Sequence, residues 1–195
     1  MVISAQQIKD LREKTGAGIA DVKKALEEAN GEFAKAFELI ERKLGSAAVK
    51  KAGRETGAGL VDAYIHSNHK VGALIEVFCE TDFVAKTPAF KEFVHDLALH
   101  IAAMRPVYLS IDLVPENLWQ AEKAKVAEEV SAMDKPENIK NQIIEGKLNT
   151  YFGSLSLLSQ PFVKDQDKKI EQVIAEAIGR FGENIKVGNF TRFEV

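Results

Sequence analysis

A single cysteine, Cys79, stands in a chain of 195 residues, which excludes an internal disulfide and any multi-cysteine zinc site. Long apolar runs are missing too. The stretch 71–79 is broken by Gly72 and Glu76 and falls far short of the roughly 20 residues that span a bilayer. The N-terminus lacks a signal-peptide apolar region. Positive charge is not in excess, since 26 Lys and Arg face 29 Asp and Glu for a formal net charge of -3, and the one basic cluster is Lys50, Lys51 and Arg54. A soluble cytoplasmic protein is expected, with no direct nucleic-acid or membrane partner. Gly16-Ala17-Gly18 and Gly57-Ala58-Gly59 lack the spacing of phosphate-binding loops and read as turns. What is present is an ordinary globular composition, 46% hydrophobic and 28% charged, enough for one large domain or two small ones.

The apolar pattern divides the chain. Ser4 and Gln7 form a capping-box pair ahead of Ile8 and Leu11, so a short helix is expected there, broken at 15–18. Ile19, Val22, Ala25, Leu26 and Ala29 mark a second helix ending at Asn30-Gly31. Phe33, Ala36, Phe37, Ile40 and Leu44 mark a third, which Gly45 should close. Residues 1–45 thus read as a compact three-helix module whose core, at about 3–5 kcal/mol, suits a docking head. Residues 46–59 read as a connector. The period then changes to two over 60–66 and 71–80, around the turn Ser67-Asn68-His69-Lys70, which predicts a β-hairpin. Thr87-Pro88 opens a helix carrying Phe90, Phe93, Val94, Leu97, Ala98 and Ile101, stopped by Arg105-Pro106. Residues 107–109 fit a short strand or an extended link. Helices follow at about 115–133 and after Asp134-Lys135-Pro136, then a structured loop over 157–163 and a last helix capped by Asp167 and ended by Gly182. A strand over 185–195 should bulge at Gly188-Asn189. The expected fold class is α+β: the three-helix module, then residues 60–195 as a small antiparallel sheet packed with helices.

Catalysis needs a convergent set, and none is visible. Cys79 shares a strand face with Ile75 and Val77, which predicts a packed core thiol. His66 and His69 flank the hairpin turn, while His95 and His100 lie five apart on a helix and should sit at its polar margin. No catalytic residue, cofactor or metal is expected. The segment 80–86 differs, because it leaves a strand and sets Phe83 and Val84 among polar residues just before a helix cap. Two outcomes are open on pattern alone. Phe83 is displayed to a partner, or it folds back as a core anchor while Thr81 or Asp82 makes a local turn.

Two long stretches carry a resemblance, Leu11 to Leu26 (LREKTGAGIADVKKAL) and Glu76 to Lys86 (EVFCETDFVAK), with Ser159-Gln160-Pro161-Phe162-Val163 and the terminal Phe190-Thr191-Arg192-Phe193-Glu194-Val195 in support. Together they resemble the bacterial translation elongation factor Ts family in its short, single-core form. The resemblance implies a guanine-nucleotide exchange factor that binds elongation factor Tu and speeds GDP release, and not an enzyme. It implies that the head, similar to ubiquitin-associated three-helix domains, docks on the GTPase domain of Tu through Leu11, Arg12, Ile19 and Ala20. Family members often carry two methionines where Ile19-Ala20 stands, so the contact stays apolar but is smaller. It further implies that Thr81, Asp82, Phe83 and Val84 approach the magnesium and phosphate end of the partner's nucleotide pocket, with Phe83 as a wedge. His66 sits in a Tyr-x-His context that longer members use in a second core half. A single-core chain would present both surfaces only as a pair, so a homodimer is expected, through the sheet or adjoining helices. A non-catalytic adaptor built around the docking head is the alternative; a cysteine- or metal-dependent hydrolase ranks last.

Overall fold

The computed structural model describes residues 3–195, so the first two positions of the expected module lie outside it. Three helices come first: α1 (Ala5–Thr15), α2 (Ile19–Glu28) and α3 (Phe33–Lys51). Ser4 and Gln7 form the reciprocal capping box at the start of α1, and Gly16 ends it in the left-handed conformation at φ 67°. Leu11, Val22, Leu26, Ala36, Ile40 and Leu44 form a core of their own. The third helix does not stop at Gly45. Ala48 continues its buried stripe into a second core, and Lys50 and Lys51 favour the C-terminal end of the helix dipole. A mid-helix glycine costs only about 1 kcal/mol against alanine, and tertiary packing outweighs it here. The irregular segment between helix and sheet therefore shrinks from the expected 46–59 to 52–57.

Strands β1 (Ala58–Ile65) and β2 (Val71–Cys79) form the predicted hairpin, and β5 (Ile185–Glu194) returns antiparallel on the other side of β2, in the order β1-β2-β5. Between them come α4 (Asp82–Ala85), α5 (Pro88–Met104), α6 (Glu116–Ser131), α7 (Glu137–Leu155), the short hairpin β3 (Pro161–Phe162) and β4 (Asp165–Lys169), and α8 (Ile170–Phe181). One sheet face, with Ala73, Ile75, Val77 and Cys79, is buried against Phe90, Val94, Leu97 and Ile101 of α5 and Ile174 and Ile178 of α8. The bulge falls where expected. Ile75 pairs with Phe190 but Val77 pairs with Val187, and the Glu76 carboxylate fills the irregularity by accepting from the Asn189 backbone N and Nδ2, both at 2.7 Å.

Helices α6 and α7 make a hairpin with a third, smaller core of Val126, Val130, Ile144, Leu148 and Phe152, on which Trp119 stacks. Residues 107–109 are an extended link that runs parallel to the chain leaving α7: Val107 N and Tyr108 N donate to Leu155 O, and Tyr108 O and Leu109 O accept from Leu157 N and Leu158 N. The predicted loop 157–163 is a 3-10 turn (Leu157–Ser159) leading into β3. Two expectations are corrected here. Asp167 does not cap α8; it lies in β4, and the helix starts at Ile170, where the Lys169 backbone N donates to Gln172 Oε1 at 2.8 Å. His100 is not marginal but fully buried. Its Nδ1 accepts from Val163 N at 3.2 Å, and its Nε2 meets Gln160 Oε1 at 3.0 Å.

Candidate partner-binding site

The segment 80–86 is a single helical turn rather than an open loop. Thr81 is extended (φ -133°, ψ 152°) and caps α4, its Oγ1 accepting from Val84 N at 3.5 Å. Thr87 then caps α5, taking Phe90 N at 3.2 Å and donating to Val84 O at 2.8 Å. A single four-residue turn would fray alone; here Thr81 and Thr87 brace it at its two ends, and Ala85 is buried beneath it. Of the two outcomes open in the sequence, Phe83 does not fold back as a core anchor, although Thr81 does make the local turn hydrogen bond. Val84 and Ala85 pack on the body core, and Phe83 points away at 88% exposure. Asp82 is exposed beside it and meets Lys86 at 3.4 Å, a surface pair worth little in water.

Glu183, which sequence reasoning overlooked, anchors this turn from across the fold. Its carboxylate accepts from Glu80 N at 3.1 Å, Thr81 N at 3.0 Å and Thr81 Oγ1 at 2.5 Å. A lone glutamate about 100 positions away carries no local signature, so only the tertiary structure reveals it. Cys79, directly before the turn, is fully buried and donates through Sγ to Thr81 O at 3.2 Å. Burial pushes its thiol pKa up, with the Glu183 charge adding to the effect, so the thiolate is disfavoured.

On the head, Arg12, Ile19 and Ala20 are exposed, Ile19 at 58%. Ile8, Lys9, Arg12, Gly16 and Ile19 line a groove beside them. Leu11 departs from its expected role. It is wholly buried among Val22, Leu26 and Ile40, so it holds the head together and leaves no surface for a partner. His66 is exposed at the hairpin turn, its Nδ1 3.1 Å from Tyr64 Oη. His95 is also exposed and its Nδ1 lies 2.9 Å from Asp62 Oδ2. The expected residues thus fall into three groups on different elements: the head face, the hairpin turn and the α4 turn. Among the described residues, no group of three or more His, Cys, Asp or Glu could hold a metal ion, and no helix is long and apolar enough to cross a membrane.

The comparisons with known proteins run along the whole chain. A family profile described as Elongation factor TS matches residues 2–195. Elongation factor Ts of Thermotoga maritima is 48% identical over 195 residues, covering 100% of this chain and 97% of that protein. Elongation factor Ts of Thermosipho melanesiensis is 46% identical over 194 residues, covering 100% and 99%. That of Acetivibrio thermocellus is 45% identical over 193 residues, covering 99% and 90%. Fold and likeness together define a factor of translation elongation. The chain belongs to the elongation factor Ts family.

Proposed function

We propose that this protein is a guanine-nucleotide exchange factor for elongation factor Tu and works by contact rather than by chemistry. The observation that carries the reading is Phe83, a large apolar side chain 88% exposed on a turn capped at both ends. Water leaves such a ring displayed at a cost, and a braced turn presents it without paying much ordering entropy on binding. In the full-length family context, Phe83 is the wedge and Asp82 its polar neighbour at the partner's magnesium and phosphate site. Arg12, Ile19 and Ala20 dock the head on the GTPase domain. Residues 1–45 act as the docking head and 60–195 as the body, which also pairs two copies. The site of action is the cytoplasm.

Linkage supplies the energetics. A factor that binds nucleotide-free partner more tightly than GDP-bound partner weakens GDP binding by the same coupling free energy, typically about 1–3 kcal/mol. No bond is made or broken in the factor. The test is the GDP off-rate from elongation factor Tu, followed with a fluorescent nucleotide. Phe83→Ala should lower the acceleration at least about fivefold, the lower end of that coupling, while thermal stability stays close to wild type because the ring is already in water. Full acceleration by Phe83→Ala and Asp82→Ala alike would refute the wedge.

A further inference from the structure

Gly182 ends α8 in the left-handed conformation (φ 75°), and the turned chain places Glu183 and Asn184 facing two ways. Glu183 takes the three donors at Glu80 and Thr81 already described. Asn184, 2% exposed, donates its backbone N to Glu80 Oε1 at 2.6 Å and its Nδ2 to the carbonyls of Ala52 at 3.3 Å and Arg54 at 2.8 Å. Those carbonyls lie just past α3, the long helix of the head, at its C-terminal cap Ala52 and in the irregular segment that follows. One dipeptide therefore ties the head's exit to the base of the Phe83 turn.

The chemistry of Glu183 is that of a positioner. Its half-buried carboxylate accepts from three neutral donors, two backbone N–H groups and the Thr81 hydroxyl. The Thr81 hydroxyl has one proton and gives it to Glu183, which leaves a lone pair for Val84 N. The carboxylate thereby fixes the rotamer that caps α4, and α4 carries Asp82 and Phe83.

We infer that Glu183 is a positioning residue for nucleotide exchange, holding the Asp82–Phe83 turn at a set angle to the head through the Glu183–Asn184 clamp. The inference rests on the exchange reading given above. It makes a chemical distinction between two variants. Glutamine keeps one oxygen for the two backbone amides and can offer its NH₂ to Thr81 Oγ1, which then accepts. Alanine leaves all three donors without a partner.

The experiment uses the full-length protein in two assays. Amide hydrogen exchange reads the clamp without any partner. In Glu183→Ala the Glu80 and Thr81 amides should exchange about tenfold faster, the loss of a charge-assisted hydrogen bond, while β2 amides stay as protected as in wild type. GDP release from the partner GTPase reads the consequence. Glu183→Ala should lower the maximal rate about tenfold with a smaller change in the concentration giving half-maximal effect, and Glu183→Gln should restore most of both. Unchanged protection at Glu80 and Thr81 would overturn the clamp. So would wild-type release by Glu183→Ala in an assay where Phe83→Ala is impaired, or a Gln variant as defective as the Ala variant. If Phe83→Ala also releases GDP normally, the exchange reading has failed, and the inferred role of Glu183 in exchange falls with it.

Discussion

At the scale of single residues, His100 shows what burial does to a titrating group. It lies on the buried side of α5 with zero exposure, and its ring is committed at both nitrogens. Gln160 Nε2 donates to Met104 O at 3.2 Å and Ser154 O at 2.6 Å, so its Oε1 must face the ring, and His100 Nε2 carries the proton. Nδ1 then accepts from Val163 N. Protonation would put a second hydrogen on Nδ1, against an N–H donor. Desolvation lowers the His100 pKa from the ordinary 6.5, only partly opposed by the Gln160 bond. The sign follows from proton counting. Below 6.5 the unfolded chain takes up a proton that the folded chain refuses, so stability is fully present above about 6.5 and falls as the pH drops from there toward the depressed folded value. The urea midpoint should therefore decline between about pH 6.5 and pH 5 more steeply in the wild type than in His100→Gln, which cannot titrate. Parallel slopes for the two proteins would show that His100 is not the group responsible.

At the scale of elements, the head meets the body along α3 and α8, and Gly179 is what lets them approach. A Cβ at Gly179 would run into the Leu44 side chain, with Leu44 Cγ only 3.1 Å from it. Lys168 adds a polar stitch, 3.5 Å from Glu41 of α3 and 2.7 Å from Glu176 of α8. Gly179→Val should destabilise the protein by about 1–3 kcal/mol through overpacking, seen as a lower urea midpoint. Gly146 is the control, since it lies inside α7 with open space around its Cβ position. Gly146→Ala should raise the midpoint, by about 0.5–1 kcal/mol of helix propensity. If Gly179→Val matched the wild type, the close α3–α8 approach would carry no energetic weight.

The same seam explains which elements were legible in the sequence. Helices with their own start signals, such as Ser4 and Gln7 for α1 or Thr87-Pro88 for α5, could be placed from local chemistry. The Gly188-Asn189 bulge was legible because a glycine interrupts strict alternation. Gly45 misled because a glycine ends a helix only where the backbone turns left-handed, as at Gly16 and Gly182, and Leu44 and Ala48 keep α3 going by burial. Asp167 misled for a related reason: an acidic residue before an apolar stripe fits a cap, but β3 pairs with β4 across it. In the candidate site, exposure of Phe83 beside burial of Ala85 was undecidable from spacing on so short a turn. Leu11 was assigned to a contact surface by resemblance, although its i, i+3 spacing from Ile8 suits a core position, where it lies. Glu183 could not be found at all without the fold.

At the scale of the whole molecule, the outer face of the sheet is left without a cover by the described residues. Alternation puts Val61, Ala63 and Ile65 of β1 on this face, with Leu74 and Phe78 of β2 and Thr191 and Phe193 of β5. The register aligns them in cross-strand rows: Ile65, Gly72 and Phe193 in one, Ala63, Leu74 and Thr191 in the next. Val61 is 61% exposed, Ile65 59% and Phe193 71%, whereas the opposite face is closed by α5 and α8. An antiparallel sheet can leave one face to water, but then that face is usually polar. Two such faces can stack about 10 Å apart with their side chains interdigitated, and of the sheet and the adjoining helices we propose the sheet as the joint of the homodimer. A twofold pairing of this kind uses the same patch on both copies, so one substitution acts twice. Leu74→Lys would bring two unpaired ammonium groups into the centre of the joint while leaving each folded subunit nearly as stable as before, because Leu74 is already 46% exposed in the single chain. Sedimentation velocity at micromolar concentration should show a dimer for the wild type and a monomer for Leu74→Lys, with far-UV circular dichroism unchanged between them. A wild type that sediments as a monomer, yet accelerates GDP release fully, would rule the pairing out and leave the apolar face to some other contact.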